Sequence, residues 1–302
     1  MVMTTTPCGT SSLARDEAAY IGELRQVQRS WLERFWNRFT GILFWTQREE
    51  DPLIVGGSPA AITEAPFMAF VSSSFPKQGM KKLNVGCSAS IISEQWILTA
   101  AQCLYDERGN FATKVTVHVG SADSTSGTAD QPSGTDAKAD RWIPHPNYSR
   151  DDNTRNYDVA LIHLRKSLKL DSTMQPICYP QSDDVLGTSI SLCDQKAYGW
   201  GYLQTTDQSI STILQKLSVQ VTPVTSECTT YTDGRIICVK GVPPSSGICF
   251  GDGGGPLVVR YNSRAYVTGI ASFVQNNTCA AAPAGYTRAS TYASWVKSTI
   301  GA

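Results

Sequence analysis

Gly251-Asp252-Gly253-Gly254-Gly255-Pro256-Leu257 is the stretch that decides the fold of this 302-residue chain. It sets four glycines around a single aspartate and leads into the β-branched run Val258-Val259. Because glycine tolerates positive φ, the stretch is predicted to form a sharp turn at the start of a strand. A turn of this composition also lets backbone N–H groups approach a ligand closely.

Three further segments precede this turn. Ile54-Val55-Gly56-Gly57 comes first, Leu98-Thr99-Ala100-Ala101-Gln102-Cys103 second and Asp158-Val159-Ala160-Leu161 third. Shorter matches complete the series: Cys178-Tyr179-Pro180, Gly199-Trp200-Gly201 and Tyr286-Thr287-Arg288. One such segment alone would be a weak signal, but their joint order from Ile54 to the end of the chain is highly specific. With this series the chain resembles the trypsin and chymotrypsin family of serine peptidases.

The strand pattern agrees with that resemblance. From Ile54 onward, short β-branched runs alternate with Gly, Pro, Asn and Ser, which is typical of an all-β barrel or sandwich. The resemblance implies a trypsin-like double six-stranded β-barrel with a C-terminal helix, for which Tyr292 to Ile300 are the candidate. Ala122 to Asp140 are predicted to form a surface loop. We therefore expect a helical pro-segment over residues 1–53 and a peptidase-like domain over 54–302.

Composition narrows the classes of function. Lys plus Arg number 26, and so do Asp plus Glu. The sequence therefore has no excess of basic residues that would favour nucleic acid as a partner. The nine cysteines lack the paired spacings of zinc sites, which favours disulfides, an oxidising compartment and an extracellular location. We expect no metal and no cofactor.

The first 53 residues have a different composition. Apolar residues recur there at helical spacing and predict one amphipathic helix. A pro-segment that packs on the protein's own surface is the preferred interpretation, and contact with a membrane or a partner groove is the alternative. No signal peptide is visible, so we expect either a start upstream of Met1 or another export route. The apolar residues of the helix are Tyr20, Leu24, Val27, Trp31, Phe35, Phe39 and Ile42.

Two residue types that the family mechanism needs are missing. The resemblance places a histidine, the general base, where this chain has Gln102, and a serine, the nucleophile, where it has Gly253. A glutamine amide does not titrate near neutrality, and glycine has no side chain with which to attack. Asp158 is the one triad position retained, and the Gln102 amide and the Ser272 hydroxyl are each predicted to donate a hydrogen bond to it.

Other features of the family site are retained. Gly251 and Gly253 match the positions whose N–H groups form an oxyanion hole. Asp252 matches the aspartate that pairs with the amino terminus made by cleavage before Ile54. Because Leu53 stands where family zymogens usually have Arg or Lys, a trypsin-like activator would not recognise this bond. Processing by a chymotrypsin-like enzyme and a permanent single chain both remain open.

The resemblance also assigns the residues of the specificity pocket. Gly247 matches the floor of the pocket, and Val274 and Ala284 match wall positions that are usually glycine. The resemblance therefore implies a shallow, elastase-like apolar pocket without a partner for a basic side chain. Ser272, Phe273 and Val274 form the edge available to an extended peptide.

Cysteines and sequons add further expectations. The resemblance implies three disulfides, Cys87 to Cys103, Cys228 to Cys238 and Cys249 to Cys279. For the other three cysteines two pairings are open: Cys8 with Cys178, or Cys178 with Cys193. Asn147 and Asn276 begin acceptor sequons for N-glycans.

Three hypotheses for function follow. The first is a catalytically inactive, secreted protease homologue that binds a protease, a protease inhibitor or a protease substrate. The second is a serine endopeptidase with residual activity, the function that domain similarity alone would give. The third is a membrane- or microbe-surface binder that acts through the N-terminal helix.

Overall fold

The computed structural model describes most of the chain from Ile54 to Gly301. The described residues are 54–76, 84–124, 134–151, 155–182, 195–204, 206, 210–222, 234–275, 278–280 and 283–301. The predicted N-terminal helix lies outside them.

Six antiparallel strands close the first barrel, in the order β2-β3-β4-β7-β6-β5. Its interior is filled by alternating apolar side chains such as Val115, Val117 and Val119, because successive residues of a strand point to opposite faces. The strands are β2 Met68–Ser74, β3 Asn84–Ile91, β4 Trp96–Thr99, β5 Lys114–Val119, β6 Thr135–Pro144 and β7 Ala160–Leu164.

A second six-stranded barrel has the order β9-β10-β13-β12-β11-β8 and closes through the pairing of β8 with β9. A two-residue strand, β1 Ser58–Pro59, is added at β9. The other strands are β8 Gln195–Gly199, β9 Gln215–Thr222, β10 Ile236–Val242, β11 Pro256–Tyr261, β12 Arg264–Val274 and β13 Ala284–Arg288. The trypsin-like double-barrel fold is thus confirmed.

The C-terminal helix is also present. Helix α1 spans Ala293–Ile300 and ends at Gly301, whose φ of 74° gives the left-handed cap that favours glycine. The predicted loop is shorter than expected, because Thr135 to Asp140 belong to β6, where Thr135 to Lys138 pair with β5. The prediction was wrong there because Asp, Ala and Lys residues give little strand signal in a half-exposed strand.

Candidate active-site cleft

Gln102 is held by a short 3-10 helix, Ala101–Leu104, that follows β4. The disulfide between Cys87 and Cys103 anchors this helix to β3. The Gln102 backbone N–H donates to Asp158 Oδ1 at 2.9 Å, and its side-chain Nε2 donates to Asp158 Oδ2 at 2.7 Å and to the Ser272 carbonyl at 2.5 Å. Both hydrogens of the amide are therefore used in holding the site together.

Asp158 is buried just before β7, and a β-bulge in β12 brings Ser272 to it. The register of β12 against β13 shifts between Ala271 and Phe273, so Ser272 leaves the regular alternation. Its hydroxyl donates to Asp158 Oδ2 at 2.5 Å. Both predicted hydrogen bonds to Asp158 are present. Burial raises the pKa of the Asp158 carboxyl to about 6, although these donors act in the opposite direction.

Replacing Gln102 by leucine is expected to lower the free energy of unfolding by about 1–3 kcal/mol at pH 7, because a buried carboxylate and the Ser272 carbonyl each lose a donor. The loss should be smaller at pH 5, where the Asp158 carboxyl is protonated in the folded state. Thermal melting at both pH values measures it.

Gln95→Leu is the matched control, because the Gln95 amide donates one bond, to the Leu164 carbonyl at 3.3 Å, outside the cleft. Melting of Gln102→Leu that equals the parent protein across neutral pH would show that Gln102 does not hold Asp158.

Gly253 lies beside Gln102 with room for a side chain. A Cβ built on Gly253 would meet nothing nearer than 3.9 Å, at Cys87 Sγ, Cys103 Sγ and Gln102 Nε2. Gly251 and Gly254 have φ of 96° and 82°, whereas Gly253 is not among the residues with positive φ. The backbone therefore requires glycine at positions 251 and 254 but not at Gly253.

The turn also presents two unused donors. Among the described residues, neither the Gly251 N–H nor the Gly253 N–H donates a hydrogen bond, whereas the Gly254 N–H donates to the Ala271 carbonyl at 2.8 Å. Gly251 and Gly253 both line the cleft. Their role as an oxyanion hole stays a prediction, and free N–H groups at these positions are its physical requirement.

Asp252 is buried beneath the turn. Its carboxylate accepts hydrogen bonds at 2.8 Å from the N–H groups of Gly201 and Cys249. Any Cβ on Gly199 or Gly201 would overlap this carboxylate, which is why two glycines flank Trp200. Burial raises the pKa of Asp252 to about 6, against the effect of the two donors.

The start of the described chain packs close by. Ile54 is fully buried, and the Val55 carbonyl accepts a hydrogen bond from Gly247 N–H at 2.9 Å. Leu53, on the other side of the expected cleavage bond, lies outside the described residues. Pairing of Asp252 with a new amino terminus stays a prediction.

The two buried carboxyls predict that stability falls as pH rises from about 4 to 6. An unfolded aspartate releases its proton near pH 4, whereas folded Asp158 and Asp252 hold theirs to about pH 6. Ionisation in this window therefore costs the folded state more than the unfolded state, by roughly 2–3 kcal/mol for each carboxyl.

The free energy of unfolding, measured by urea denaturation at several pH values in this window, should fall less steeply with pH for Asp158→Asn and for Asp252→Asn than for the parent protein. Asp171→Asn is the control with the opposite sign, because the Thr173 side chain lowers the pKa of exposed Asp171. An unchanged slope in both buried variants would contradict the assignment.

The cleft encloses a cavity of about 470 Å³. Ser272, Phe273 and Val274 line it as expected, but Gly247 and Ala284 do not. Gly247 pairs with Val55, and a Cβ on it would lie only 2.9 Å from Ala280 Cα, so the polypeptide itself closes the space beneath. The other lining residues are Val85, Gly86, Cys87, Gln102, Arg155, Ile248, Cys249, Phe250, Gly251, Gly253, Ala271 and Gln275.

The disulfide predictions are partly met. Cys87 is bonded to Cys103, and Cys249 to Cys279. Cys238 is also in a disulfide, while its expected partner Cys228 lies outside the described residues. Cys178 is a free thiol, so both pairings considered for it, with Cys8 and with Cys193, are wrong. Its backbone instead pairs with β12 through Ala265 and Val267, which fixes Cys178 at that strand.

The three histidines lie elsewhere, each with its own partners. His118 and His163 lie in β5 and β7 and contact Asp136 and Asp140, at 2.8 and 2.6 Å. His145 stacks on Tyr157. Among the described His, Cys, Asp and Glu side chains, no cluster could hold a metal ion. In the same part of the chain, no helix has the length and apolar character of a membrane span.

Sequence reasoning missed Arg155 and Phe250, which both line the cavity. Arg155 lies in a connecting loop three residues before Asp158, where neither a hydrophobic period nor a motif marked it as a site residue. Of the two sequon asparagines, Asn147 is exposed and Asn276 lies outside the described residues.

Comparison with known proteins gives consistent matches. The family model described as Trypsin matches residues 54–296. CLIP domain-containing serine protease B4 of Anopheles gambiae is 30% identical over 264 residues, which are 82% of this chain and 70% of that protein. Phenoloxidase-activating factor 3 of Holotrichia diomphalia is 29% identical, over 83% of this chain and 74% of that protein. A solved structure of HL collagenase superposes with a TM-score of 0.67 at 27% identity and covers 82% of this chain and 99% of that one.

Proposed function

The chain belongs to the trypsin family, and we propose that it binds polypeptide in its active-site cleft without cleaving it, as a secreted regulatory protein. The observation that carries this proposal is the pair Gln102 and Gly253, which the resemblance aligns with the base and the nucleophile of the family. Gln102 has both amide hydrogens committed to Asp158 and Ser272, and Gly253 has no side chain although its surroundings would admit one.

The size of the catalytic loss supports binding over residual hydrolysis. In a serine protease of another fold, removing the serine or the histidine alone costs roughly a million-fold in turnover, or about 8 kcal/mol. The remaining groups leave a rate roughly 10³ to 10⁴ times that in water. Such a rate is too low for a useful protease, so a retained cleft is better explained by binding.

The features that bind a polypeptide do not depend on the missing groups. The cavity and the N–H groups of Gly251 and Gly253, which have no partner among the described residues, are both compatible with an extended segment. A protease, a protease inhibitor or a protease substrate could each present such a segment. One relative is by name a phenoloxidase-activating factor, which favours a partner in an activation cascade.

The organisation of the chain fits a secreted regulator. The trypsin family match begins at Ile54, where the composition of the sequence also changes. We keep residues 1–53 as a pro-segment and 54–302 as the binding domain. Disulfides at Cys87 to Cys103 and Cys249 to Cys279 are typical of proteins from oxidising compartments.

Two measurements test the proposal together. A serine-reactive phosphonate probe should leave the protein unlabelled, because labelling needs a nucleophile. The fluorescence anisotropy of fluorescein-labelled decapeptides, randomised around a central Ala or Val, should increase when the parent protein is added. Gly253→Leu, which projects a side chain into the cavity from an unstrained backbone, should abolish that change.

Labelling by the phosphonate at a single site would favour the residual-enzyme alternative. Equal peptide binding by the parent protein and by Gly253→Leu would place the binding site outside the cleft.

A further inference from the structure

Arg155 brings a positive charge to the cavity without a partner for it. Its side chain lines the cavity and is exposed. Within the described residues its guanidinium makes no hydrogen bond or ion pair. By contrast, Arg150 donates to the carbonyls of Asp106 and Glu107, and Arg260 donates to the Glu64 carbonyl. An arginine fork without acceptors beside a cavity is suited to a planar anion such as a carboxylate.

The rest of the cavity wall does not compensate this charge. Among the described residues no Asp or Glu lines it. The nearby Asp158 is buried, and its oxygens already accept from Gln102 and Ser272. The field of Arg155 lowers the pKa of Asp158 only as a weaker influence than burial and those hydrogen bonds. The charge of Arg155 is therefore available to a ligand.

The other polar groups of the wall favour acceptors as well. The N–H groups of Gly251 and Gly253 have no partner among the described residues. The apolar part of the wall consists of Val85, Ile248, Phe250, Phe273 and Val274. The cavity thus combines one cation and two backbone donors with an apolar surface.

On this basis we infer that the polypeptide bound in the cleft carries an acidic residue that pairs with Arg155, close to a small aliphatic residue that contacts Val274. This inference rests on the proposed function and adds the chemistry of the ligand to it. A carboxylate forms two parallel hydrogen bonds with a guanidinium, whereas the amide of Asn or Gln accepts with one oxygen only. Asp or Glu is therefore selected over its amide at one position of the segment.

The test uses matched pairs of fluorescein-labelled, alanine-based octapeptides with a central valine. Each pair carries Asp or Asn at one of the four positions before the valine, so every register is sampled. Binding to the full chain is measured by fluorescence anisotropy at about 20 mM and about 300 mM NaCl. These concentrations lie below and above the ionic strength at which the Debye length is about 10 Å.

We expect one register in which the Asp peptide binds about three- to fivefold more tightly than the Asn peptide at low salt, as for an exposed ion pair. High salt should reduce the difference. Arg155→Gln should remove it, and Arg155→Lys, whose ammonium keeps the charge but cannot form the two parallel hydrogen bonds, should keep only part of it. Arg165→Gln is the control, since Arg165 is exposed and does not line the cavity. Equal melting temperatures of the variants show that folding is unchanged.

The other outcomes separate the two proposals. Binding of both peptides with equal affinity in every register would overturn the acidic preference and leave polypeptide binding intact. A preference for Asp that survives in Arg155→Gln would overturn the role of Arg155. Binding of none of the peptides by folded protein would overturn the proposed function itself.

Discussion

The double variant Gln102→His/Gly253→Ser is expected to hydrolyse peptide substrates, whereas Gln102→His alone and Gly253→Ser alone stay at background. The Asp158 carboxylate already receives two bonds from Gln102, so an introduced imidazole would find its orienting partner in place. A Cβ on Gly253 would lie 3.9 Å from Gln102 Nε2, which puts an introduced hydroxyl within reach of the base. Each single variant still lacks one of the two groups.

The turnover of the double variant is expected to exceed that of either single variant by at least about a thousandfold, since loss of one group lowers turnover roughly a million-fold in a complete triad. Chromogenic peptides with Ala or Val before the scissile bond are the substrates, because Val274 lines the cavity and the resemblance implies a shallow pocket there. Each protein is assayed before and after cleavage between Leu53 and Ile54 by a chymotrypsin-like enzyme, which supplies the amino terminus predicted to pair with Asp252.

Asp158→Asn in the double variant is the control and should lower turnover about 10⁴-fold, because the imidazole would take the wrong tautomer. Hydrolysis by Gln102→His alone, tracked by an active-site titrant, would show that another nucleophile acts and that the proposed mechanism is wrong.

The sequence predicted the fold well because the decisive segments are local motifs with their own backbone requirements. The Gly199-Trp200-Gly201 segment, for instance, allows a buried carboxylate to approach, and that requirement is visible in the residue types. The two hydrogen bonds to Asp158 were predictable from the resemblance, which puts Gln102 and Ser272 beside this carboxylate, together with the donor group that each side chain carries.

Features that depend on loop conformation were not predictable. Arg155 reaches the cavity from a connection without periodicity, and its own φ of 55° is one that an arginine rarely adopts. Gly247 was expected to form the floor of the pocket, but whether it faces the cavity depends on how Val55 and Ala280 pack around it. The free thiol of Cys178 could not be inferred, because cysteine spacing does not determine connectivity.

The four glycines of the turn could not be distinguished by sequence either, and the structure separates them by a testable difference. Gly254→Ala is expected to destabilise the protein by about 2–5 kcal/mol or to prevent folding. Its φ of 82° costs an L-residue roughly 1–2 kcal/mol. A Cβ there would also overlap Thr99 Oγ1 and the Ser88 carbonyl, which are hydrogen-bonded to each other at 3.0 Å, and overpacking of this kind costs about 1–3 kcal/mol.

Gly253→Ala is the matched control one residue away, with the same change of one methyl group. Its Cβ would meet only open space within 3.9 Å and its φ is not positive, so its free energy of unfolding should stay within about 0.5 kcal/mol of the parent protein. Urea denaturation of both variants measures the difference, and loss of folded Gly254→Ala protein counts as the expected result. Equal stability of the two variants would mean that Gly253 is also required by the backbone, and the absence of a nucleophile there would then have a structural cause.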